Sequence, residues 1–376
     1  MTAQRNIADG VRSASPSYII TPEDSKRIQL WRLWMALLVL FAHGHNGQVF
    51  LSEGAANLSV PHWLFVFEYM TVTIIARCST PAFALISAVL LYRKPYSWRK
   101  NVVRKFRSIM VPLLLLTSFW IALYAIGPHI PIFRNFFSSA NTRVADWTPE
   151  QWFAAYFGWT KEHPMPTLLY PLWFMRDLML MHLIAPAIQW VIDRIPRLFL
   201  CVLAVLLVMK TDSDFHYYAI HQVFIFFCLG YYVVKYDLHL SQLDKIPWQL
   251  IALVYALTIL GGYLLRDYYD EISAVRGIPN LAGMFFFARC CTKIPEGKWL
   301  KRLLWLSEYN IAIYLFQERM LGFSKKFLHH LMPAGLPLTL MQYWALPVII
   351  GAFCVFIGWF LRKYQPKLYS LITGSR

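Results

Sequence analysis

Charge is scarce in this sequence. Only 15% of its 376 residues are Asp, Glu, Lys or Arg, whereas soluble domains carry about 25%. Six cysteines occur, but none has zinc-ligand spacing or stands in a clear extracytoplasmic loop, so we expect no disulfides. A Walker A loop, a Gly-x-Ser-x-Gly elbow, an HExxH helix and a metal cluster are also missing. These absences argue against the common nucleotide-binding, serine-hydrolase and zinc-enzyme classes, and no metal cofactor is expected.

Apolar side chains take the place of the missing charge. Hydrophobic residues make up 58% and aromatic residues 17% of the chain, and the mean hydropathy is +0.44. One soluble core could not bury so much apolar surface, but a lipid bilayer removes that problem. We therefore expect an all-α, polytopic transmembrane helical bundle over residues 28–362. Residues 1–27 are polar, without a signal peptide, and are predicted to be a disordered cytoplasmic tail; residues 363–376 form a second tail.

Apolar stretches alternate with short polar loops and predict about ten transmembrane helices. Their approximate bounds are 30–50, 78–92, 108–127, 171–190, 198–209, 218–234, 248–265, 278–292, 303–321 and 341–361. With the N-terminus inside, the cytoplasmic segments hold far more Lys and Arg than the outer loops, which predicts that both termini are cytoplasmic. The apolar stretch 62–77 is either an interfacial or re-entrant helix that leads into the second span, or a separate crossing that would invert everything downstream.

The net charge of +16 has two readings. It follows from a positive-inside topology, or it serves an anionic ligand. Nucleic acid is not expected as a partner, because the basic residues punctuate apolar spans and do not cluster on a soluble domain. Membrane lipids are the expected surroundings, and the oligomeric state stays open.

Two polar residues share one face of the first span. Arg32 and His43 are eleven residues apart, so they differ by about 20° around a helix axis and by about 16 Å along it. A charged residue within a span costs about 2.5–3.5 kcal/mol on insertion scales, and such residues usually face a cavity. Arg32 and His43 are therefore candidate site residues. The structural alternatives are a snorkelling anchor for Arg32 and a satisfied interior histidine for His43.

A basic segment precedes the third span. Arg104 and Arg107 stand three residues apart and project from one helical face. Two guanidinium groups at that spacing suit a diphosphate or a 3′-phosphate. The alternative is an ordinary topology signal that contacts anionic lipid.

Other polar residues in the spans are expected to be structural. Arg176 and Asp177 adjoin and do not face each other on a helix, so we expect them to pair with other spans. Ser87 is interpreted as a small-residue helix contact. Between the third and fourth spans, Thr148 and Pro149 predict the start of a short surface helix.

Four ordered motifs give the chain a resemblance to a known family. They are the arginine and histidine of the first span, the Pro81–Leu91 stretch around Ser87, the Arg-x-x-Arg segment that ends at Pro112, and the Ser307–Gln317 stretch. Together they resemble the acyltransferase-3 family of bacterial membrane acyltransferases. Ala88 stands where that family usually has glycine, and Gln317 stands where a late histidine is common, so no catalytic role is assigned to Gln317.

The resemblance implies an acyl-CoA-dependent O-acyltransferase of the bacterial plasma (inner) membrane. Acyl-CoA, most often acetyl-CoA, would be the co-substrate, and the acceptor would be a hydroxyl of a surface or exported glycan or of a lipid-linked saccharide. His43 and Arg32 would be the catalytic residues, while Arg104, Arg107 and Arg32 would bind the acyl-CoA. His43 acts either as a base or as a covalent acyl carrier, and the sequence leaves both open.

Two other functions are compatible with polar residues inside a membrane. A transporter or flippase of a glycan or lipid-linked intermediate would also need buried Arg, Asp and His. The absence of inverted repeats and the spacing of Arg32 and His43 weigh against it. A membrane glycan polymerase or ligase would favour a larger outer loop than residues 128–170 provide.

Overall fold

The computed structural model describes residues 18–45, 61–131, 144–158, 167–209, 215–268, 272–333 and 335–374. All regular structure within these residues is helical, which confirms the all-α class. The helices are α1 (Pro22–Gly44), α2 (His62–Tyr92), α3 (Trp98–His129), α4 (Pro149–Phe157), α5 (Trp173–Arg194), α6 (Pro196–Val208), α7 (Phe215–Lys235), α8 (Trp248–Leu264), α9 (Ser273–Cys290), α10 (Lys298–Ser307), α11 (Asn310–Leu331), α12 (Leu336–Tyr364) and α13 (Pro366–Thr373).

Three helices in the described part of the chain are both long and apolar enough to cross a membrane. They are α2, α3 and α12, with 31, 32 and 29 residues. At 1.5 Å per residue each exceeds the roughly 30 Å hydrocarbon core of a bilayer. Helices α6 and α8 and the part of α7 from Ile220 are apolar but shorter. The total of about ten spans and the cytoplasmic position of both termini stay predictions.

The outer surface of the bundle is apolar. Large side chains stand exposed on α6, α8 and α12, among them Leu198 (62% exposed), Leu257 (58%) and Val348 (60%). Large apolar patches are rare on soluble monomers and mark a membrane or protein contact. The exposed apolar side chains and the three long apolar helices together indicate a membrane protein.

The ambiguous stretch 62–77 belongs to a single long helix. Residues His62–Glu68 are α-helical, Tyr69–Ile75 form a π-helical segment, Ala76–Cys78 form a 3₁₀ turn, and Ser79–Tyr92 are α-helical again. The chain does not reverse between 62 and 92, so this stretch is not a separate crossing. The span predicted at 78–92 therefore begins sixteen residues earlier, because the sequence signal was masked by Glu68 and Arg77.

Helix α1 lies in the middle of the bundle. It contacts α2, α9, α10, α11 and α12. Its side chains are accordingly buried on several sides: Met35 and Ala36 are 0% exposed, and Leu33 and Leu40 are nearly so. A helix that is apolar on most sides is packed on most sides, and Trp34 of α1, at 36%, is the large apolar side chain of this helix that stays exposed. The polar Arg32 and His43 on this helix therefore face the protein interior or its cavities.

Helices α2 and α7 approach each other closely. A Cβ atom on Gly230 of α7 would lie 2.6 Å from the Cβ of Ala88 and 2.6 Å from the carbonyl oxygen of Leu85. Small residues let two helix backbones come together where a larger side chain would hold them apart. The glycine expected after Ser87 is absent, and Gly230 on the facing helix supplies the space instead.

Parts of the two predicted tails are helical and pack against the bundle. Thr21 caps α1 by accepting from the Asp24 amide, so the last residues of the predicted 1–27 tail are helical. Arg27 is buried and forms an ion pair with Asp244 at 2.7 Å. Residues 1–17 lie outside the described residues. In the predicted 363–376 tail, α13 packs against α3.

The surface helix predicted after Trp147 is confirmed. Helix α4 begins at Pro149, and the Thr148 side chain accepts from the Gln151 amide while Gln151 accepts from the Thr148 amide. This reciprocal capping box satisfies two amide donors that a helix start would otherwise leave exposed.

Candidate active site

A basic cavity opens between α3 and α13. It has a volume of about 1030 Å³, and we call it the vestibule. Its cationic lining residues are Arg99, Lys100, Arg104, Arg107 and Lys367. The first helical turns of α3 place Arg104 and Arg107 on one face, as their spacing predicts, and both side chains are exposed. Such a cluster attracts anions and suits phosphate in particular.

A second cavity adjoins the vestibule. Ser108 of α3 and Gly374 at the end of α13 line both. This arginine cavity, of about 330 Å³, is defined by Arg32 of α1, Ser87 of α2 and Lys105 of α3. Most of its remaining wall is apolar. Lys105 is buried at 7% exposure, so a cation from α3 as well as one from α1 reaches the interior.

A third, smaller cavity of about 170 Å³ contains His43. It also exposes His45, Arg77 and Tyr170, and we call it the histidine cavity. The ring of His43 meets the ring of Tyr170 edge to face, with centroids 5.6 Å apart. His43 is in the last turn of α1, which places the imidazole where that helix ends and its final carbonyls need donors.

Three aromatic rings stand between the arginine and histidine cavities. Phe174 and Tyr314 line both cavities, and Phe83 lines the arginine cavity. Their ring centroids lie 6.2–6.4 Å apart in every pair. We call these rings the aromatic partition. The sequence predicts one groove for Arg32 and His43, and the structure places them in two adjoining cavities with Phe174 and Tyr314 as their common wall.

Lys325 of α11 binds the end of α1 beside His43. Its Nζ donates to the carbonyl oxygens of His43, at 2.5 Å, and of His45, at 2.7 Å. A lysine at a helix C-terminus satisfies carbonyls that have no partner within the helix and complements the helix dipole. Lys325 lies beyond the span predicted at 303–321, because the basic pair Lys325-Lys326 interrupts the apolar pattern of α11.

A row of polar side chains connects α2, α3 and α5. Ser87 Oγ lies 3.1 Å from Nε2 of His182, and Nδ1 of His182 lies 3.4 Å from Nδ2 of Asn101. Arg104 donates from Nη2 to Oδ1 of Asn101 at 3.1 Å. His182 is 0% exposed and Asn101 is 2% exposed. The interpretation of Ser87 as a plain packing residue was therefore incomplete. The available signal was the presence of Ser87 and His182 within largely apolar spans.

Arg176 and Asp177 pair with each other, so the expectation that both pair with other spans was wrong. Arg176 Nε lies 2.6 Å from Asp177 Oδ1. An arginine side chain is long enough to reach the residue beside it, although adjacent Cβ atoms on a helix point apart. Arg176 also donates to the Phe157 carbonyl at the end of α4. The hydrogen bond from Arg176 to Phe157 connects α5 to the end of the surface helix α4.

The long apolar helices and the exposed apolar side chains define a membrane protein, and one of its cavities is lined by cationic side chains. The chain belongs to the acyltransferase-3 family: the model of that family's acyltransferase domain matches residues 25–363. The chain is also similar to the succinoglycan biosynthesis protein ExoH of Rhizobium meliloti (strain 1021), with 24% identity over 372 residues that cover 94% of this chain and 92% of the relative. No solved structure matches the chain.

Proposed function

We propose that this acyltransferase is a multi-pass protein of the bacterial inner membrane that moves an acyl group, preferably acetyl, from acyl-CoA to a hydroxyl of a surface or exported glycan. The observation that supports this function is the series of three adjoining cavities. Each contains a residue that the sequence singles out: Arg104 in the vestibule, Arg32 in the arginine cavity and His43 in the histidine cavity. The relative's name, which refers to the biosynthesis of a polysaccharide, supports a glycan acceptor.

In this proposal the vestibule binds the phosphates of coenzyme A. Arg104 and Arg107 provide guanidinium groups that donate in parallel to phosphate oxygens. Lys100 and Lys367 add point charges on the two sides of the same cavity. The vestibule is large enough for a nucleotide, since whole-ligand sites measure about 300–1,000 Å³.

The thiol arm of coenzyme A then occupies the arginine cavity. The arm is neutral, narrow and largely apolar, as is most of the cavity wall. Arg32 and His43 are about 16 Å apart along α1, a separation that an extended pantetheine arm can span. Phe174 and Tyr314 must turn aside for the thioester to reach His43, because their rings are the common wall of the two cavities.

His43 acts as the base in the histidine cavity. A cavity of about 170 Å³ fits the acyl end of a thioester and one acceptor hydroxyl, but not a whole saccharide. The imidazole takes the proton of the acceptor hydroxyl, whose oxygen forms a bond with the thioester carbonyl carbon. The carbon–sulfur bond then breaks, and the leaving thiolate takes the proton from the imidazolium. The products are an O-acyl ester and free coenzyme A.

The test is transfer of label from radioactive acetyl-CoA to glycan in inside-out membrane vesicles. The wild type should release one coenzyme A thiol for each acyl group that reaches glycan. His43→Ala should lower transfer by at least 100-fold at normal expression, a loss in the range typical of a general base. His329→Ala, on the exposed end of α11, is the matched control. Near-normal transfer by His43→Ala would refute its role, and glycan movement without thioester consumption would identify a transporter.

A further inference from the structure

A continuous row of polar groups leads from the vestibule to the arginine cavity. It begins at Arg104, which lines the vestibule, and passes through Asn101 and His182 to Ser87, which lines the arginine cavity. Neither Asn101 nor His182 is exposed to solvent. The row therefore connects an anion-binding surface to a hydroxyl in the interior through side chains that water does not reach.

The Arg104 guanidinium determines which group donates and which accepts in each hydrogen bond of this row. A guanidinium group has donors and no acceptor, so the Asn101 atom that meets Arg104 is its carbonyl oxygen Oδ1. The amide NH₂ of Asn101 then faces His182 and donates to Nδ1. A neutral imidazole that accepts at Nδ1 carries its proton at Nε2. His182 consequently donates from Nε2 to the oxygen of Ser87.

Because the Ser87 oxygen accepts from His182, its own O–H is free to donate to a group in the arginine cavity. Within the described part of the chain, His182 is the one hydrogen-bond partner of the Ser87 side chain. Serine, histidine and asparagine in a row resemble the nucleophile, base and orienting group of acyl-transfer enzymes. In those enzymes the histidine accepts a proton from the nucleophile. Here the accepting nitrogen of His182 faces Asn101, and its N–H faces Ser87. Ser87 is thus arranged as a hydrogen-bond donor and not as an activated nucleophile.

We propose that Ser87 binds a neutral carbonyl oxygen of the acyl donor, namely an amide carbonyl of the pantetheine arm, and that His182 and Asn101 position it. The inference rests on the proposed function, because it is the phosphates at Arg104 that place the arm in the arginine cavity. Amide oxygens are the strong acceptors of that arm, and the rest of it matches the apolar wall. Each donor polarises the next along the row, so Arg104 makes the Ser87 hydroxyl a stronger donor.

Binding to the purified full-length protein in detergent tests this site. Coenzyme A presents both phosphates and arm, whereas adenosine 3′,5′-bisphosphate presents phosphates alone. Ser87→Ala should weaken coenzyme A binding roughly 3- to 10-fold, as expected for one hydrogen bond, and leave binding of the bisphosphate unchanged. Ser118→Ala is the matched control, since that serine bonds Tyr156 and lines none of the three cavities.

A variant that exchanges the donor and acceptor roles along the row tests the proposal more directly than Ser87→Ala does. In Asn101→Asp the carboxylate can only accept, so His182 donates from Nδ1, and a neutral imidazole with that tautomer accepts from Ser87 at Nε2. This variant should raise the KM for acetyl-CoA as Ser87→Ala does, with kcat little changed. His182→Gln keeps an acceptor and a donor in the same order and should bind like the wild type, whereas His182→Leu should behave like Ser87→Ala.

The outcomes separate the site from the proposed function. Wild-type protein that binds neither coenzyme A nor the bisphosphate would overturn the proposed function, and this inference with it. Wild-type binding of coenzyme A together with unchanged affinity in Ser87→Ala would overturn the inference alone. A higher transfer rate in Asn101→Asp would also overturn it, because that result would identify Ser87 as a nucleophile activated by His182.

Discussion

The ammonium group of Lys325 donates to the backbone carbonyl of His43, with Nζ and the oxygen 2.5 Å apart. It makes a second bond of 2.7 Å to the carbonyl of His45. These two bonds tie α11 to the end of α1, so the position of the His43 imidazole depends on a residue 282 positions away in the sequence. Glu68 and Glu318 interact electrostatically with the same ammonium group.

Replacement of Lys325 should therefore impair the function of His43. In Lys325→Met the carbonyls of His43 and His45 lose a charged donor, and a hydrogen bond to a charged group contributes about 1.5–3 kcal/mol. We expect kcat for acyl transfer to fall roughly 10-fold or more as the end of α1 shifts, while the KM for acetyl-CoA stays near its wild-type value. Lys326→Met is the control because that side chain is exposed. Equal kcat values in the two variants would contradict the positioning role.

The vestibule arginines should bind the donor in a salt-dependent manner. Arg107→Ala removes one guanidinium group from an exposed cationic cluster, and we expect the KM for acetyl-CoA to rise roughly 10-fold at low ionic strength. The Debye length falls from about 30 Å at 0.01 M salt to about 10 Å at 0.1 M, so the difference from wild type should shrink as salt is added. Arg302→Ala, beside Trp299 on α10, is the control. A salt-independent KM would show that Arg107 is a topology signal.

The sequence predicts the local parts of this site and not its long-range parts. Arg104 and Arg107 line one cavity because residues three apart on a helix share a face, and that relationship needs no knowledge of the fold. The capping box of Thr148 is equally local. In contrast, Ser87 and His182 are 95 residues apart. Helix periodicity relates residues within one helix, so it does not predict that α2 and α5 pack with these two side chains in contact.

Predictions of spans and tails from hydropathy are wrong at charged residues that interact with other parts of the bundle. Glu68 and Arg77 made the first half of α2 resemble an interfacial segment, although α2 continues through both. Arg27 was assigned to a disordered tail, but its ion pair with Asp244 fixes the start of α1 to the bundle. Hydropathy scores each residue as if lipid or water surrounded it, whereas the charge of Arg27 is paired within the protein.

The aromatic partition should control which acyl groups reach His43. Phe174→Ala removes a ring that lines both the arginine and the histidine cavities. We expect kcat/KM for hexanoyl-CoA relative to acetyl-CoA to rise about 10-fold, because a pocket discriminates by about 1–3 kcal/mol per methylene group. Phe119→Ala, 56% exposed on α3, is the control. An unchanged ratio of the two donors would show that the acyl group does not pass Phe174.

The contact between α2 and α7 should limit the stability of the bundle. In Gly230→Ala the new Cβ would meet Ala88 and the Leu85 carbonyl oxygen at 2.6 Å, so the helices must separate, at a cost of about 1–3 kcal/mol. We expect a lower Tm in detergent and, because Ser87 adjoins Ala88, a weaker affinity for coenzyme A. Gly261→Ala is the matched control: its Cβ would meet nothing within 4 Å, so its Tm should stay level or rise. Ala88→Gly should restore part of the Tm of Gly230→Ala, and equal Tm values for the two glycine variants would contradict the close contact.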